Sequence, residues 1–452
     1  MKFAQSIPQT DPSDKSSSWV SIEDDRYSKN IDNPIKDIPI ILWWTGRLSM
    51  VTGISEVTCP NAICYSTKNR SYIDDPRTRG FYFYGSDLKP EDLPLPRQPH
   101  HEWALLHEES PFNNYMLNHG VMISLFNHTA TFRRESDYPL TTQNIPTLDY
   151  LTKQKPVPVA KKNLLRKEQG LATIVYVQSN CKPPSDRDDY IRELMKYIDI
   201  DCYGKCLNNK KMPEELNDPV ESLGTEKFYN FLGRYKFHLA FENSICNDYM
   251  TEKLFRPLHV GSVPIYKGSP LARNWMPDKR SIIMIDDFET PQKLAKFIKY
   301  LDSNDTEYEN YLQFKTSTGV TNKFLLDHML NRPWGVNDFE KLDMITGFEC
   351  HVCHKLTERY TVEKQHKVDS SVPLLPPKTA DISHLHCPQP RPAIAHTKLF
   401  NLFYRWHGEH WIQEYWDGFD KARAVKAMLE RGEKRSDMFE AYLEEIYMKN
   451  NY

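Results

Sequence analysis

Between Leu171 and Leu301 short apolar runs alternate with amphipathic stretches of helical length, and this alternation limits the fold more than any other feature of the chain. Leu171 to Val177 is a β-branched run, and Ser185 with Asp188 three residues on reads as a helix start. Ile191, Leu194, Met195 and Ile198 then recur at helical spacing. Lys236 to Phe241 predicts a strand, Glu252 to Val260 a helix ended by Gly261, and Val263 to Tyr266 another strand. Ile282 to Ile285 predicts a further strand; Thr290 caps the next helix, with Pro291 at its first position and Leu294, Phe297, Ile298 and Leu301 on one face. Strands alternating with helices of this length require crossovers and a parallel sheet, whose ligands bind at the carboxyl ends of the strands.

Upstream, the continuous run Ile38 to Trp44 reads as a buried strand, with further strand candidates at Gly80 to Tyr84, Trp103 to His107 and Val121 to Phe126. They suggest a second α/β domain, ending in the basic, Pro-containing linker Lys153 to Lys167. The domains expected are a solvated stem over 1–37, an N-terminal domain over 38–168, a second domain over 169–338 and a C-terminal extension over 339–452. The extension holds Cys350-His351-Val352-Cys353-His354, a Pro-rich stretch from Val372 to Pro392, an aromatic cluster (Phe400, Phe403, Tyr404, Trp406, Trp411, Tyr415, Trp416) and one final helix from about Asp420 to Met448.

Composition narrows the function classes. Across 452 residues 58 Lys and Arg face 61 Asp and Glu, a net charge of −3, which excludes a strongly basic nucleic-acid binder. No apolar run approaches the ~18 residues a membrane span needs. Residues 1–37 lack the apolar region of a signal peptide, so either the protein is cytosolic or a signal or anchor is missing from this chain. Three glycosylation acceptors, Asn69-Arg70-Ser71, Asn127-His128-Thr129 and Asn304-Asp305-Thr306, favour the second option. The nine cysteines are an odd number.

The densest chemistry lies in Phe241-Glu242-Asn243-Ser244 and Asp248-Tyr249-Met250-Thr251-Glu252-Lys253, a strand that runs into a polar loop and re-enters as a helix. Amide dipoles at that helix start favour an anion. Glu252 suits the terminus by itself; Lys253 is either a phosphate ligand or a solvated charge. Arg187, near the start of the helix after Leu171 to Val177, is either a second phosphate ligand or an ion-pair partner of Asp188, Asp189 or Glu193. Two cations at two strand ends of one sheet suffice to close on a single diphosphate. Asp199-Ile200-Asp201 reads as a structural pair at a strand end rather than a magnesium site. The absence of G-x-G-x-x-G and G-x-x-x-x-G-K-[ST] argues against dinucleotide oxidoreductases and P-loop NTPases. Paired Glu108 and Glu109 offer a general base or merely a solvated loop. Cys350 to His354 matches a haem-attachment pattern, and with His384, His386 and Cys387 it can be drawn as a zinc site. Short-range disulfides, Cys350 with Cys353 and Cys59 with Cys64, are the simpler reading.

Together these segments resemble the GDP-fucose-dependent α1,3-fucosyltransferases. The likeness rests on the block above, continued by Gly261-Ser262-Val263-Pro264-Ile265-Tyr266-Lys267-Gly268-Ser269-Pro270. Further matches are Ser179-Asn180, Glu109-Ser110-Pro111 and Leu125-Phe126-Asn127 with Arg133 and Asp137. Trp103 to Pro111, Trp334-Gly335-Val336-Asn337-Asp338 and the ending Glu445-Ile446-Tyr447-Met448-Lys449 look most like the branch of alpha-1,3-fucosyltransferases 10 and 11, with 11 the nearer. The resemblance implies an α/β chain of two facing Rossmann-like domains (the GT-B glycosyltransferase architecture), with a Cys-containing, helical C-terminal extension. It implies inverting transfer of L-fucose from GDP-fucose with no metal or other cofactor, in the lumen of the endoplasmic reticulum or Golgi. The implied acceptor is a folded glycoprotein, most readily a Ser or Thr of a small disulfide-rich EMI-type domain, with GlcNAc of an N-glycan as the alternative. A lumenal binding or quality-control protein without turnover is the competing class. Membrane attachment is expected only through an N-terminal anchor that this chain does not contain. By the same resemblance Arg187 and Lys253 hold the diphosphate, Glu252 the ribose hydroxyls, and Asn243, Tyr249 and Thr251 the rest of the donor; Glu109 is the base. Cys202 is extra to the branch's eight cysteines and is expected to be unpaired.

Overall fold

The computed structural model describes residues 36–49, 51–218, 222–338, 340–394, 406 and 408–449. The stem up to residue 35 and Phe400, Phe403 and Tyr404 lie outside them. The chain divides into two compact α/β units, one built from 142–332 with residues of the stretch 390–411, the other from 36–141, 333–389 and 412–449.

The second of these units carries a six-stranded sheet formed by β1 (Ile40–Trp43), β2 (Ile54–Cys59), β3 (Ala62–Thr67), β4 (Thr78–Tyr84), β5 (Glu102–His107) and β6 (His128–Thr131). Its order is β2-β3-β1-β4-β5-β6, parallel except for the edge hairpin β2-β3. The apolar run at Ile40 sits inside because both faces of a parallel strand are covered. Gly80 on β4 meets the helix Met344–Val368 so closely that an added Cβ would lie 2.6 Å from Leu356 Cδ1. The core over that face joins Ile41, Trp43, Val57 and Tyr82 to Phe348, Val352 and Leu356. Inside it the Glu349 carboxylate accepts from Trp43 Nε1 (2.7 Å) and Ser66 Oγ (2.5 Å).

The other unit holds a five-stranded parallel sheet in the order β11-β10-β9-β7-β8. Its strands are β7 (Ile174–Gln178), β8 (Ile200–Gly204), β9 (Phe237–Phe241), β10 (Val263–Lys267) and β11 (Ile283–Met284). The helix Glu252–Val260 ends as expected at Gly261, whose φ of 68° suits a residue without Cβ. Thr290 caps Pro291–Ser303 by accepting from Lys293 N. Ile191, Leu194, Ile198, Leu294, Ile298 and Leu301 join the core beside the sheet.

Several expectations are corrected. Val121 to Phe126 is no strand: Gly120–Ile123 is a helical turn and β6 begins at His128. The supposed linker contains the helix Val159–Gln169, and Lys162 within it is buried, donating to Tyr235 O, Gly261 O and Ser262 Oγ. The units meet in sequence at 141/142, not at 168, and much of the supposed extension packs in the N-terminal unit. The last helix is two, His410–Glu430 and Phe439–Lys449, broken at Gly432 (φ 66°). The disulfides are long-range: Cys59 pairs with Cys350 and Cys64 with Cys353, while Cys181 pairs with Cys206. A helix places Cys350 and Cys353 on one face, where each meets a different strand of the hairpin β2-β3 instead of the other. Their bonded sulfurs offer no thiolate, and the His384 ring bonds Thr129 Oγ1, so neither the haem nor the zinc reading stands. Asn127 is buried, its amide tied to Trp103 N, Arg97 and Lys378 O, which removes it as a glycan acceptor in the folded chain.

Candidate functional site

The carboxyl ends of β7, β9 and β10 gather most of the candidate donor residues into one hydrogen-bonded network. Arg187 begins the helix Arg187–Leu194 and is fully buried. Its Nη1 donates to Phe241 O (2.8 Å) and its Nη2 to Asn180 O (2.6 Å), joining the ends of β7 and β9, while Nε is buried without a partner. Neither ion pair nor solvated charge describes it; the guanidinium is held by carbonyls. Ser185 is not the helix cap: its Oγ donates to Glu242 O and its N to Asn243 O. The cap position belongs to Asp186, at φ 54°. Asp188 braces the same corner, accepting from Tyr176 Oη and Lys182 N, and the Cys181–Cys206 bridge ties this loop to the chain after β8.

Glu242, passed over in the motif, organises the other side. Its carboxylate is fully buried and accepts from Thr251 N (2.7 Å) and Thr251 Oγ1 (2.7 Å), clamping the polar loop to the start of the helix Glu252–Val260. Burial raises its pKa, and Lys253 opposes that rise. Thr251 is the N-cap, as its side chain accepts from Lys253 N. Lys253 Nζ donates to Thr251 Oγ1 (3.1 Å) and Glu252 Oε1 (3.2 Å) and lies 3.8 Å from Glu242. Burial works to raise the Glu252 carboxyl, but Lys253 and Arg256 overrule it and hold it at about 2. Asn243 leaves Oδ1 buried and unpartnered, and Tyr249 is buried with its carbonyl accepting from Tyr266 Oη. The signal that would have exposed Glu242 is an acidic residue directly after a largely apolar strand, where a charge survives only if strapped.

In the N-terminal unit Glu109 lies half-buried in the loop leaving β5, just past its carboxyl end. Glu108 beside it accepts from Tyr84 Oη (2.9 Å) at the end of β4, and burial raises its carboxyl. Both glutamates act on Tyr84, whose hydroxyl burial pushes up. Ser110 is buried and Pro111 opens a short 3-10 turn, so the Glu-Ser-Pro segment is anchored. Asp201 is structural, accepting from Ala172 N and Tyr235 Oη. Cys202 is the one free cysteine; burial pushes its thiol up to about 12.

The carboxyl ends of the five-stranded parallel sheet gather buried cations and a helix start, which places the chain among α/β proteins that bind a ligand at strand ends. The chain matches "Fucosyltransferase, N-terminal" over residues 36–142 and "Glycosyltransferase family 10 (fucosyltransferase) C-term" over residues 166–370. It is 44% identical to "GDP-fucose protein O-fucosyltransferase 3" of Rattus norvegicus over 88% of this chain and 80% of that protein. The protein of the same name from Danio rerio is 44% identical over 90% of this chain and 86% of its own. The chain therefore belongs to glycosyltransferase family 10, the fucosyltransferases. A crystal structure of an alpha1,3-fucosyltransferase with GDP is similar at 16% identity and a TM-score of 0.38, over 73% of this chain and 94% of that one.

Proposed function

We propose that this fucosyltransferase moves L-fucose from GDP-β-L-fucose, with inversion and without a required metal, onto a Ser or Thr hydroxyl of a folded protein. The observation that carries the reading is the 44% identity, along 88% of the chain, with a protein named for that reaction. Small disulfide-rich domains of EMI type are the acceptor class, and the lumen of the endoplasmic reticulum or Golgi is the compartment. Eight disulfide-bonded cysteines support an oxidising surrounding.

In this reading Glu109 takes the acceptor proton while the hydroxyl oxygen bonds to the anomeric carbon. The bond from that carbon to the diphosphate breaks, and its electron pair leaves on GDP. Positive charge gathers on the sugar and negative charge on the leaving group, so Arg187 and Lys253 stabilise the diphosphate as it departs. Glu252, fixed as a carboxylate, suits ribose hydroxyls, and Asn243, Tyr249 and Thr251 complete the donor contacts.

Incubation of the purified chain with labelled GDP-fucose and either an EMI-type domain or an N-glycan acceptor tests this. Label on Ser or Thr of the domain is expected. Label found solely on GlcNAc refutes the acceptor assignment, and no turnover of GDP-fucose with either favours a lumenal binding protein. Full activity in EDTA is expected; loss that manganese restores refutes metal independence.

A further inference from the structure

One ammonium at the same sheet edge has no place in the assignments above. Lys267 is the last residue of β10 and stands in register with Phe241, whose carbonyl Arg187 holds. It is 8% exposed, and its Nζ is buried without a hydrogen-bond partner. It lies 5.5 Å from the ring centroid of Tyr190, on the helix that Arg187 begins, and the Tyr190 hydroxyl is likewise buried and unpartnered. With Arg187 Nε and Asn243 Oδ1, four polar atoms from neighbouring strand ends and one helix are buried unsatisfied at this edge. Most buried polar groups in folded proteins are paired, so four unpaired ones on adjoining elements point to a ligand. Three of the four are donors, which selects an anion.

The charged groups facing Lys267 are Asp186, ahead of the helix, Asp286, after β11, and Arg391. Asp186 Oδ2 is already engaged by Ala393 N at 2.7 Å. Burial pushes the Lys267 ammonium down to about 8 despite the two aspartates.

We propose that Lys267 is a third cation of the donor site, engaging the diphosphate of the bound nucleotide alongside Arg187 and Lys253, with the Tyr190 hydroxyl donating beside it. The proposal rests on the reading of this edge as the GDP-fucose site. Titration calorimetry of GDP into the full chain, with wild type, Lys267→Met and Lys267→Arg at pH 7.5 and 9.5, tests it. The methionine variant should lose at least tenfold in GDP affinity at pH 7.5, and the arginine variant should stay within threefold of wild type. Wild-type affinity should fall severalfold by pH 9.5 and that of the methionine variant should not. Burial raises the Asp186 carboxyl from a value far below that window and pushes the Tyr190 phenol up and away from it. A folded methionine variant that binds GDP within twofold of wild type overturns the proposal. Should that variant melt below the assay temperature, a flat wild-type affinity from pH 7.5 to 9.5 overturns it equally. Wild type that binds no GDP sinks the donor-site reading itself, before Lys267 is at issue.

Discussion

At the scale of single residues, the structure separates groups that hold the fold from groups left to meet a ligand. In the proposed reaction Glu109, half-buried past the end of β5, is the base. Glu109→Gln should reduce transfer by at least a hundredfold, within the range of positioned proton transfer, while GDP affinity by calorimetry stays within twofold. Glu242 belongs to the first kind. Glu242→Ala removes both acceptors of Thr251 and should destabilise the protein by about 2–3 kcal/mol in urea unfolding, while also weakening GDP binding through the loosened helix start. The motif around Lys253 was legible because its residue types are unusual together. The roles of Arg187 and Glu242 were not, since a sequence does not show that a guanidinium will bond carbonyls or that a carboxylate will be sealed inside.

Among the elements, the five-stranded sheet was legible almost strand by strand because most of its strands are largely apolar runs separated by amphipathic helices. The first was read incompletely. The hairpin β2-β3 buries Ser55 and Ser66 and exposes Ile63, which blurs the alternation that marks a strand. The helix Met344–Val368 was hidden by its Cys-His pattern, which drew attention to ligands in place of packing. Its apposition to β4 is the feature most sensitive to a single methyl group. Gly80→Ala would place carbon 2.6 Å from Leu356, and the resulting overpacking should lower stability by about 1–3 kcal/mol with little change in GDP affinity. A shift in urea midpoint without a change in slope would check this.

For the whole molecule, imidazoles held neutral by burial shape the response to acid. Burial lowers His101 and His238 to about 3, and His107 and His351 to about 4. Below the ordinary histidine pKa near 6.5 the unfolded chain takes up protons that the folded chain refuses. Their neutral burial therefore costs nothing above pH 6.5, and stability is lost as pH falls from there towards 4, at up to ~1.4 kcal/mol per pH unit for each group. Thermal melting should drop steeply as pH falls from 6.5 to 4.5; a level profile across that window would contradict neutral burial. Which unit each segment joins was the least legible property of all. Local pattern names elements, but nothing local in residues 344–368 says that they cover strands formed some 290 positions earlier.

That separation sets a timetable for the nascent chain. Cys59 and Cys64 leave the ribosome 291 and 289 residues ahead of Cys350 and Cys353. At translation rates of about 5–20 residues per second they wait roughly 15–60 seconds for their partners. Meanwhile the whole stretch 142–332, which closes its own sheet, can fold between them. The tempting bonds in that interval are the wrong ones, Cys59 to Cys64 first and Cys350 to Cys353 later. Maturation of this protein thus depends on thiols that are kept open, or reshuffled, until Cys350 and Cys353 have been made.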